Sequence, residues 1–237
     1  MSGSTRVREI EVPERLGVDE VAELAAQLRA AGADDVVVLR GRERAFCKGL
    51  ALAEVAKASS PSLHAAVHGF ADVLLRLREL PCPTVALVEG SARGGGVGLA
   101  AACDVVLAGR DASFSLPEAV FGLTPAIITP FVVERIGARR LRYLALSCTS
   151  LDATAAQRIG LVDQTAPSRV GATLRRLVRV LARVSPVAPH LVAATGPSHA
   201  QVHAAAEETL QRLLDPTVAA RIDAFISGGA APWQVPA

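Results

Sequence analysis

Three consecutive glycines, Gly94, Gly95 and Gly96, open the stretch Arg93–Pro125 (RGGGVGLAAACDVVLAGRDASFSLPEAVFGLTP). It closes on one carboxylate, Glu118, set among apolar and small residues. Glycines let a backbone take positive φ and let another molecule come close. A glycine turn that leads into a helix leaves unpaired N–H groups, which suit an anion or a developing oxyanion. A second glycine turn, Ala45–Ala53 (AFCKGLALA), follows a β-branched run and offers another backbone donor. Two converging N–H groups form an oxyanion hole, with each donor worth about 3 kcal/mol to a transition state. Burial of Glu118 beside Pro117 would raise its pKa toward the range useful for proton transfer. Donors and acid together are parts that enolate chemistry on a thioester needs. Each part also has an ordinary reading: a tight turn, a strand-to-helix turn, and a first-turn glutamate favoured by the helix dipole. Taken one at a time, local sequence favours the ordinary readings.

Other constellations are weaker. The glycines do not form GxGxxG after a first strand and lack the Lys-Ser/Thr of a P-loop, so nucleotide binding is disfavoured. His64 and His68 are spaced i, i+4. That spacing can bind a metal, but no acid ligand or HExxH pattern flanks it, so a helix surface is the default and no metal is expected. His190, His199 and His203 read as surface residues of an alanine-rich tail. Cys47, Cys82, Cys103 and Cys148 have no CxxC spacing and read as small core fillers. Residues 173–184 (TLRRLVRVLARV) form a basic amphipathic segment, either a solvated helix face or a surface for an acidic carrier protein or a pantetheine phosphate.

These groups need a scaffold. The chain has 237 residues, 51% hydrophobic and 20% charged, enough for a sizeable core in one large domain or two small ones. Aromatics are 3%, so that core rests on Ala, Val, Leu and Ile. A net charge of +2 gives no argument for nucleic acid. The apolar run near Val97–Leu107 is broken by Asp104 and too short for a membrane. The segment MSGSTRVREIEV holds no hydrophobic run, so a cytoplasmic enzyme is the expectation.

Residues 6–11 alternate as a short strand, and 18–31 carry helical spacing that stops at Gly32. Strands are expected at 35–40, 84–89, 105–108 and 112–115, and a helix at 61–80 between Pro61 and Pro81. Gly90–Gly98 reads as a glycine turn and Leu99–Cys103 as a helical turn. Residues 130–183 read as mostly helical with a break at 161–168, and 186–225 as helical. The alternation argues an α/β fold with one continuous core. The expectation is a single domain: an α/β core over 1–185 and a helical C-terminal part over 186–237.

In order and spacing, VVVLRGRERAFCKGLAL, PCPTVALVEGSARGGGVGLAAACDVVLA, ASFSLPEAVFGLTP and RIGLVD resemble the crotonase (enoyl-CoA hydratase/isomerase) superfamily, over roughly Val36–Asp163. The resemblance implies an α/β fold made of a crotonase-like ββα spiral, with a helical C-terminal trimerisation region and assembly as a homotrimer or dimer of trimers. It implies that the N–H groups of Leu50 and Gly95 hold a thioester oxygen, and that pantetheine and acyl chain pass along Ala51, Leu52 and Ala53. It assigns Glu118 as the catalytic acid–base. Hydratases of the family use two glutamates, but the second position falls on Gly98. The family's common Asp after the first donor is Ala51, and the N-terminal hairpin is shortened. No cofactor is implied beyond the phosphopantetheine or coenzyme A that carries the substrate.

FCKGL, GGGVGLAAACDVVLA, FSLPEAVFGLTPAIITPFVVERIG and LALSC look like the enoyl-CoA hydratase-like dehydratases of polyketide β-branching. That branch implies a lyase removing water from a 3-hydroxy-3-methylglutaryl group on an acyl carrier protein. With Gly98 in place of an acid, His68 is a candidate assisting group. The rivals are a Δ3/Δ2 enoyl-thioester isomerase and a non-catalytic crotonase-like subunit that binds a carrier.

Overall fold

A computed structural model of the chain describes residues 6–42, 44–55, 60–166, 168–184, 188 and 196–227. Two sheets form its frame. The larger has the order β1 (Arg6–Val12), β2 (Asp35–Gly41), β4 (Thr84–Val88), β6 (Val105–Ala108), β9 (Gln164–Thr165), all parallel. The smaller has the order β3 (Ala45–Cys47), β5 (Ser91–Arg93), β7 (Ser113–Ser115), β8 (Leu151–Asp152), with only β8 antiparallel. The chain alternates between sheets, so β2 passes into β3, β4 into β5 and β6 into β7. Each turn of this spiral leaves a longer strand of the first sheet and enters a three-residue strand of the second.

The β-branched runs explain the larger sheet. Val37, Leu39, Ala86, Val88, Val106 and Ala108 join the main core. Their neighbours Val36, Val38, Val85, Leu87 and Leu107 join a second cluster on the opposite face. Side chains of a strand alternate between faces, so a strand buried on both must be apolar throughout. The second face is covered by α7 (Val170–Leu181), whose Leu174, Leu177, Val178 and Leu181 pack there while Arg175, Arg176 and Arg179 stay exposed. The basic amphipathic segment is thus a sheet cover with a solvated arginine face.

On the main face lie α1 (Val18–Arg29) and α3 (Ser60–Arg78), packed on each other. Leu63, Val67, Phe70, Leu74 and Leu77 of α3 are buried, the face its spacing dictated. Beside it, β1 pairs parallel with β2 through the α1 crossover. Asp35, fully buried at the start of β2, accepts from Arg6 Nε (2.8 Å), Arg8 Nε (3.0 Å) and the Gly32 N–H (3.0 Å). Those donors hold its carboxyl well below the usual carboxylate range.

The 130–183 region is more broken than its composition suggests. It comprises α5 (Thr129–Ser147), β8, α6 (Ala153–Arg158), β9 and α7. In the C-terminal part, α8 (His199–Leu213) packs on α3, and α9 (Pro216–Ile226) follows it. His190 lies outside the described residues. Cys47, Cys82 and Cys103 are buried and unpaired, and desolvation pushes their thiols up to about 12, 11 and 12. They are core fillers. No helix among the described residues is long and apolar enough to cross a membrane.

Candidate active site

The loop after β3 is pinned by Leu16. The Leu16 N–H donates to the Gly49 carbonyl (2.9 Å), and the Ala51 N–H donates to the Leu16 carbonyl (3.0 Å). Residues 49 and 51 therefore face Leu16, and the intervening Leu50 N–H points the other way. Among the described residues that N–H meets no acceptor. Gly49 makes the loop feasible, because its φ of 79° lies in the left-handed region.

The second donor begins a helix. Gly94, at φ 50°, caps α4 (Gly95–Ala102), and its carbonyl accepts from Val97 (2.9 Å) and Gly98 (3.2 Å). The Gly95 N–H precedes the first bonded donor, so the helix offers it no acceptor, and among the described residues it meets none elsewhere. The two donors are adjacent because two glycines touch. A Cβ on Gly49 would lie 2.8 Å from the Gly95 nitrogen, and one on Gly95 would lie 3.2 Å from the Gly49 Cα. Gly49→Ala should therefore shut the site: the left-handed φ costs an alanine about 1–2 kcal/mol, and its methyl screens the Gly95 N–H. Turnover is expected to fall on the order of 10²-fold or more. A urea titration checks the first effect and a thioester turnover assay the second.

Glu118 starts a 3₁₀ turn (Glu118–Phe121) between Pro117 and Gly122. Proline fixes the entry, and Gly122 at φ 79° fixes the exit. This short turn lays the carboxylate across Gly94, where a Cβ would stand 2.9 Å from Oε1. The residue keeps some exposure, yet its Oε2 is sealed from solvent and meets no hydrogen-bond partner among the described residues. Desolvation pushes the carboxyl up to about 7.

Leu50, Gly95 and Glu118 line one cavity of about 90 Å³, walled by Phe70, Leu123, Ile127 and Ile128. Its other polar side chains are occupied. Lys48 Nζ sits 2.5 Å from Glu14 Oε1, Thr124 donates to Glu208 (3.0 Å), and Thr209 donates to the Ala205 carbonyl (2.9 Å). Glu118 is thus the one uncommitted acid–base group among the described lining residues. The space beside Gly98 is filled: a Cβ there would lie 2.1 Å from Ile128 Cγ2. The volume that any side chain at position 98 would need is taken by the buried Ile128.

A larger groove of about 580 Å³ shares Lys48, Leu50, Leu52, Pro117 and Phe121 with the cavity. Ala51 and Leu52 stand on its wall, and Arg15 and Arg93 among its lining. The side chain of Ala53 lies outside the described residues. His68 does not join the cavity lining. Its Nε2 lies 2.8 Å from Glu207 Oε1 on α8, so its expected assistance has no geometric support. Sequence motifs also missed Phe70, Ile128, Thr209 and Leu213 as cavity walls. Their spacing marks core positions, and only the crossing of α3, α4, α5 and α8 makes them a lining.

The family profile "Enoyl-CoA hydratase/isomerase" matches residues 16–221. The chain belongs to the enoyl-CoA hydratase/isomerase family. Among family relatives, the bacillaene synthase dehydratase PksH of Bacillus subtilis (strain 168) is 34% identical over 130 residues, 54% of this chain and 50% of that protein. The 2,3-dehydroadipyl-CoA hydratase of Escherichia coli (strain K12) is 36% identical over 174 residues, 70% of this chain and 66% of that protein. The chain spans about half the length of the first of these and just under two thirds of the second. A crystal structure from Bacillus subtilis described as a polyketide biosynthesis enoyl-CoA hydratase (pksH) superposes with a TM-score of 0.82 at 25% identity, covering 100% of this chain and 97% of that one. The crotonase-like α/β fold expected from sequence is the fold of the molecule.

Proposed function

We propose that this chain is a lyase that removes water from a 3-hydroxyacyl thioester of the 3-hydroxy-3-methylglutaryl type, carried on an acyl carrier protein. The observation that carries the reading is the pairing of one sealed, uncommitted carboxyl with two open N–H donors, where Ile128 excludes a second acid. The thioester oxygen accepts from the Leu50 and Gly95 N–H groups, which stabilise the enolate as charge develops. The Glu118 carboxylate takes the C2 proton. The C3–O bond then breaks, and the same carboxyl returns that proton to the departing hydroxyl, which leaves as water. Both transfers fall on one face, so the elimination is syn. The electrons of the C2–H bond become the new double bond, and Glu118 ends as it began. The likeness to a named polyketide dehydratase supports the substrate class. The groove beside the cavity, with Arg15 and Arg93, offers charge for a pantetheine phosphate.

The test is mass spectrometry of a 3-hydroxy-3-methylglutaryl acyl carrier protein incubated with the enzyme. Loss of one water supports the proposal, and an unchanged acyl carrier overturns it. A second reading, a Δ3/Δ2 enoyl-thioester isomerase, is favoured by the same single carboxyl, since one base suffices to shuttle a proton. A 3-enoyl thioester that isomerises, while the 3-hydroxyacyl substrate loses no water, would install it instead. Assembly as a homotrimer or dimer of trimers belongs to the same proposal. Exposed Tyr143 and Leu146 on α5 offer an apolar surface for it, and analytical ultracentrifugation reads the mass.

A further inference from the structure

Four histidines among the described residues lie outside the active site on one seam. His64 and His68 stand one turn apart on α3, with rings stacked at 4.1 Å and inclined by 21°. Across the seam, α8 presents Glu207. Its Oε1 lies 3.8 Å from His64 Nε2 and 2.8 Å from His68 Nε2. Farther along, His203 pairs with Asp72 (3.2 Å) and His199 with Glu79 (2.5 Å), so these two have partners of their own.

The first three residues differ from those pairs. One carboxylate faces two imidazoles, and one ligand atom from each lies within 4.8 Å of the other two. His68 Nε2 is buried and, despite its closeness to Glu207, forms no aligned hydrogen bond. A nitrogen so placed is directed beside the oxygen rather than at it. Zinc with nitrogen and oxygen ligands near 2.0–2.1 Å separates neighbouring ligand atoms by roughly 3.3 Å in a tetrahedron. The two Glu207 distances straddle that value.

We propose that His64, His68 and Glu207 bind one divalent transition ion of the zinc class. Two imidazoles and a carboxylate suit zinc, cobalt, nickel or copper, whereas magnesium and calcium prefer all-oxygen sets. Three ligands leave a fourth position to water. The site is separate from the acyl cavity and does not rest on the proposed reaction. Its place in the fold gives it a role as a clip. His68 is two residues from Phe70, and Glu207 two from Thr209, both of which line the cavity. An ion bridging α3 and α8 would fix the C-terminal helix that closes one side of that cavity.

Isothermal titration of the tag-free full chain with zinc chloride tests this, with cobalt chloride as a spectroscopic probe and magnesium chloride as a control. The expected result is one zinc per chain, a cobalt d–d absorption band, no magnesium binding, and a thermal midpoint raised by zinc because the ion binds only the folded arrangement. His64→Ala, His68→Ala and Glu207→Gln should each weaken binding by about 10-fold or more, while His203→Ala changes it by less than about threefold. His64 and Glu207 are exposed, so their variants should fold even where His68→Ala does not, and circular dichroism without metal confirms it. The absence of saturable one-to-one zinc binding overturns the proposal. Binding that survives in both His64→Ala and Glu207→Gln overturns it too, as does loss confined to His203→Ala.

Discussion

Glu118→Gln should lower dehydration by roughly 10²–10⁴-fold, the usual contribution of a positioned acid–base group, and should make the protein more stable above neutral pH. Both effects have one cause. The carboxyl is pushed from 4.5 up to about 7 because burial penalises its charged form. Between those values the unfolded chain has released the proton and the folded chain still holds it. The folded state then binds more protons, so stability falls as pH rises from about 4.5 to about 7 and levels off above. A tenfold change in proton affinity between the two states corresponds to about 1.4 kcal/mol, which sets a cost on the order of 3 kcal/mol at pH 8. Glutamine carries no charge to desolvate and escapes that cost, apart from what its own unpartnered amide requires. Urea unfolding of both proteins at pH 5 and pH 8 reads the difference: the variant gains at pH 8 and not at pH 5. The rate carries the opposite sign. A group that must accept the C2 proton works when ionised, so kcat/KM should rise with pH through about 7 and then flatten. A profile that falls with pH would make Glu118 the donor rather than the acceptor. Native activity in Glu118→Gln would remove it from the chemistry.

The legible parts of this molecule were those governed by local rules. The run Val36–Leu39 is apolar at every position, and the sheet buries it on both faces. Gly49 and Gly94 stand where the backbone is left-handed, which only glycine enters without strain. Pro117 followed by Glu118 marked a chain entry with an acid behind it, and the turn is there. Other features depend on distant chain segments. Strands such as β8 and β9 have two residues each and exist only through their partners. Gly90–Gly98 reads as one turn because glycine masks the short β5 and the true start of α4. His68 has the spacing of a functional group, but which helix it faces is a tertiary fact, and it faces Glu207. The part of the cavity wall made by Ile128 is equally non-local, since Ile128 reaches α4 from thirty residues downstream.

That contact gives the sharpest structural prediction. Gly98→Glu, the change that would restore a second acid, is expected to yield a weakened protein rather than a two-acid hydratase. The added Cβ would meet Ile128 Cγ2 at 2.1 Å and Ile128 Cβ at 2.7 Å, closer than packed atoms tolerate. Gly98 and Ile128 are both buried, so neither can swing into solvent. Overpacking of this kind costs about 1–3 kcal/mol before any carboxylate is buried. A double-mutant cycle with Gly98→Ala and Ile128→Ala isolates the steric part. Ile128→Ala alone loses about 2–5 kcal/mol by opening a cavity, and Gly98→Ala alone loses the overpacking cost. Together they should lose less than the sum, because the methyl at 98 occupies part of the vacated volume and the helix gains an alanine for a glycine. Additive losses from urea unfolding would show that the two side chains do not compete for one space. If they do compete, this isoleucine is what commits the cavity to a single carboxyl. Gly98→Glu combined with Ile128→Ala then becomes the variant in which a side chain at 98 first has the space that Ile128 now fills.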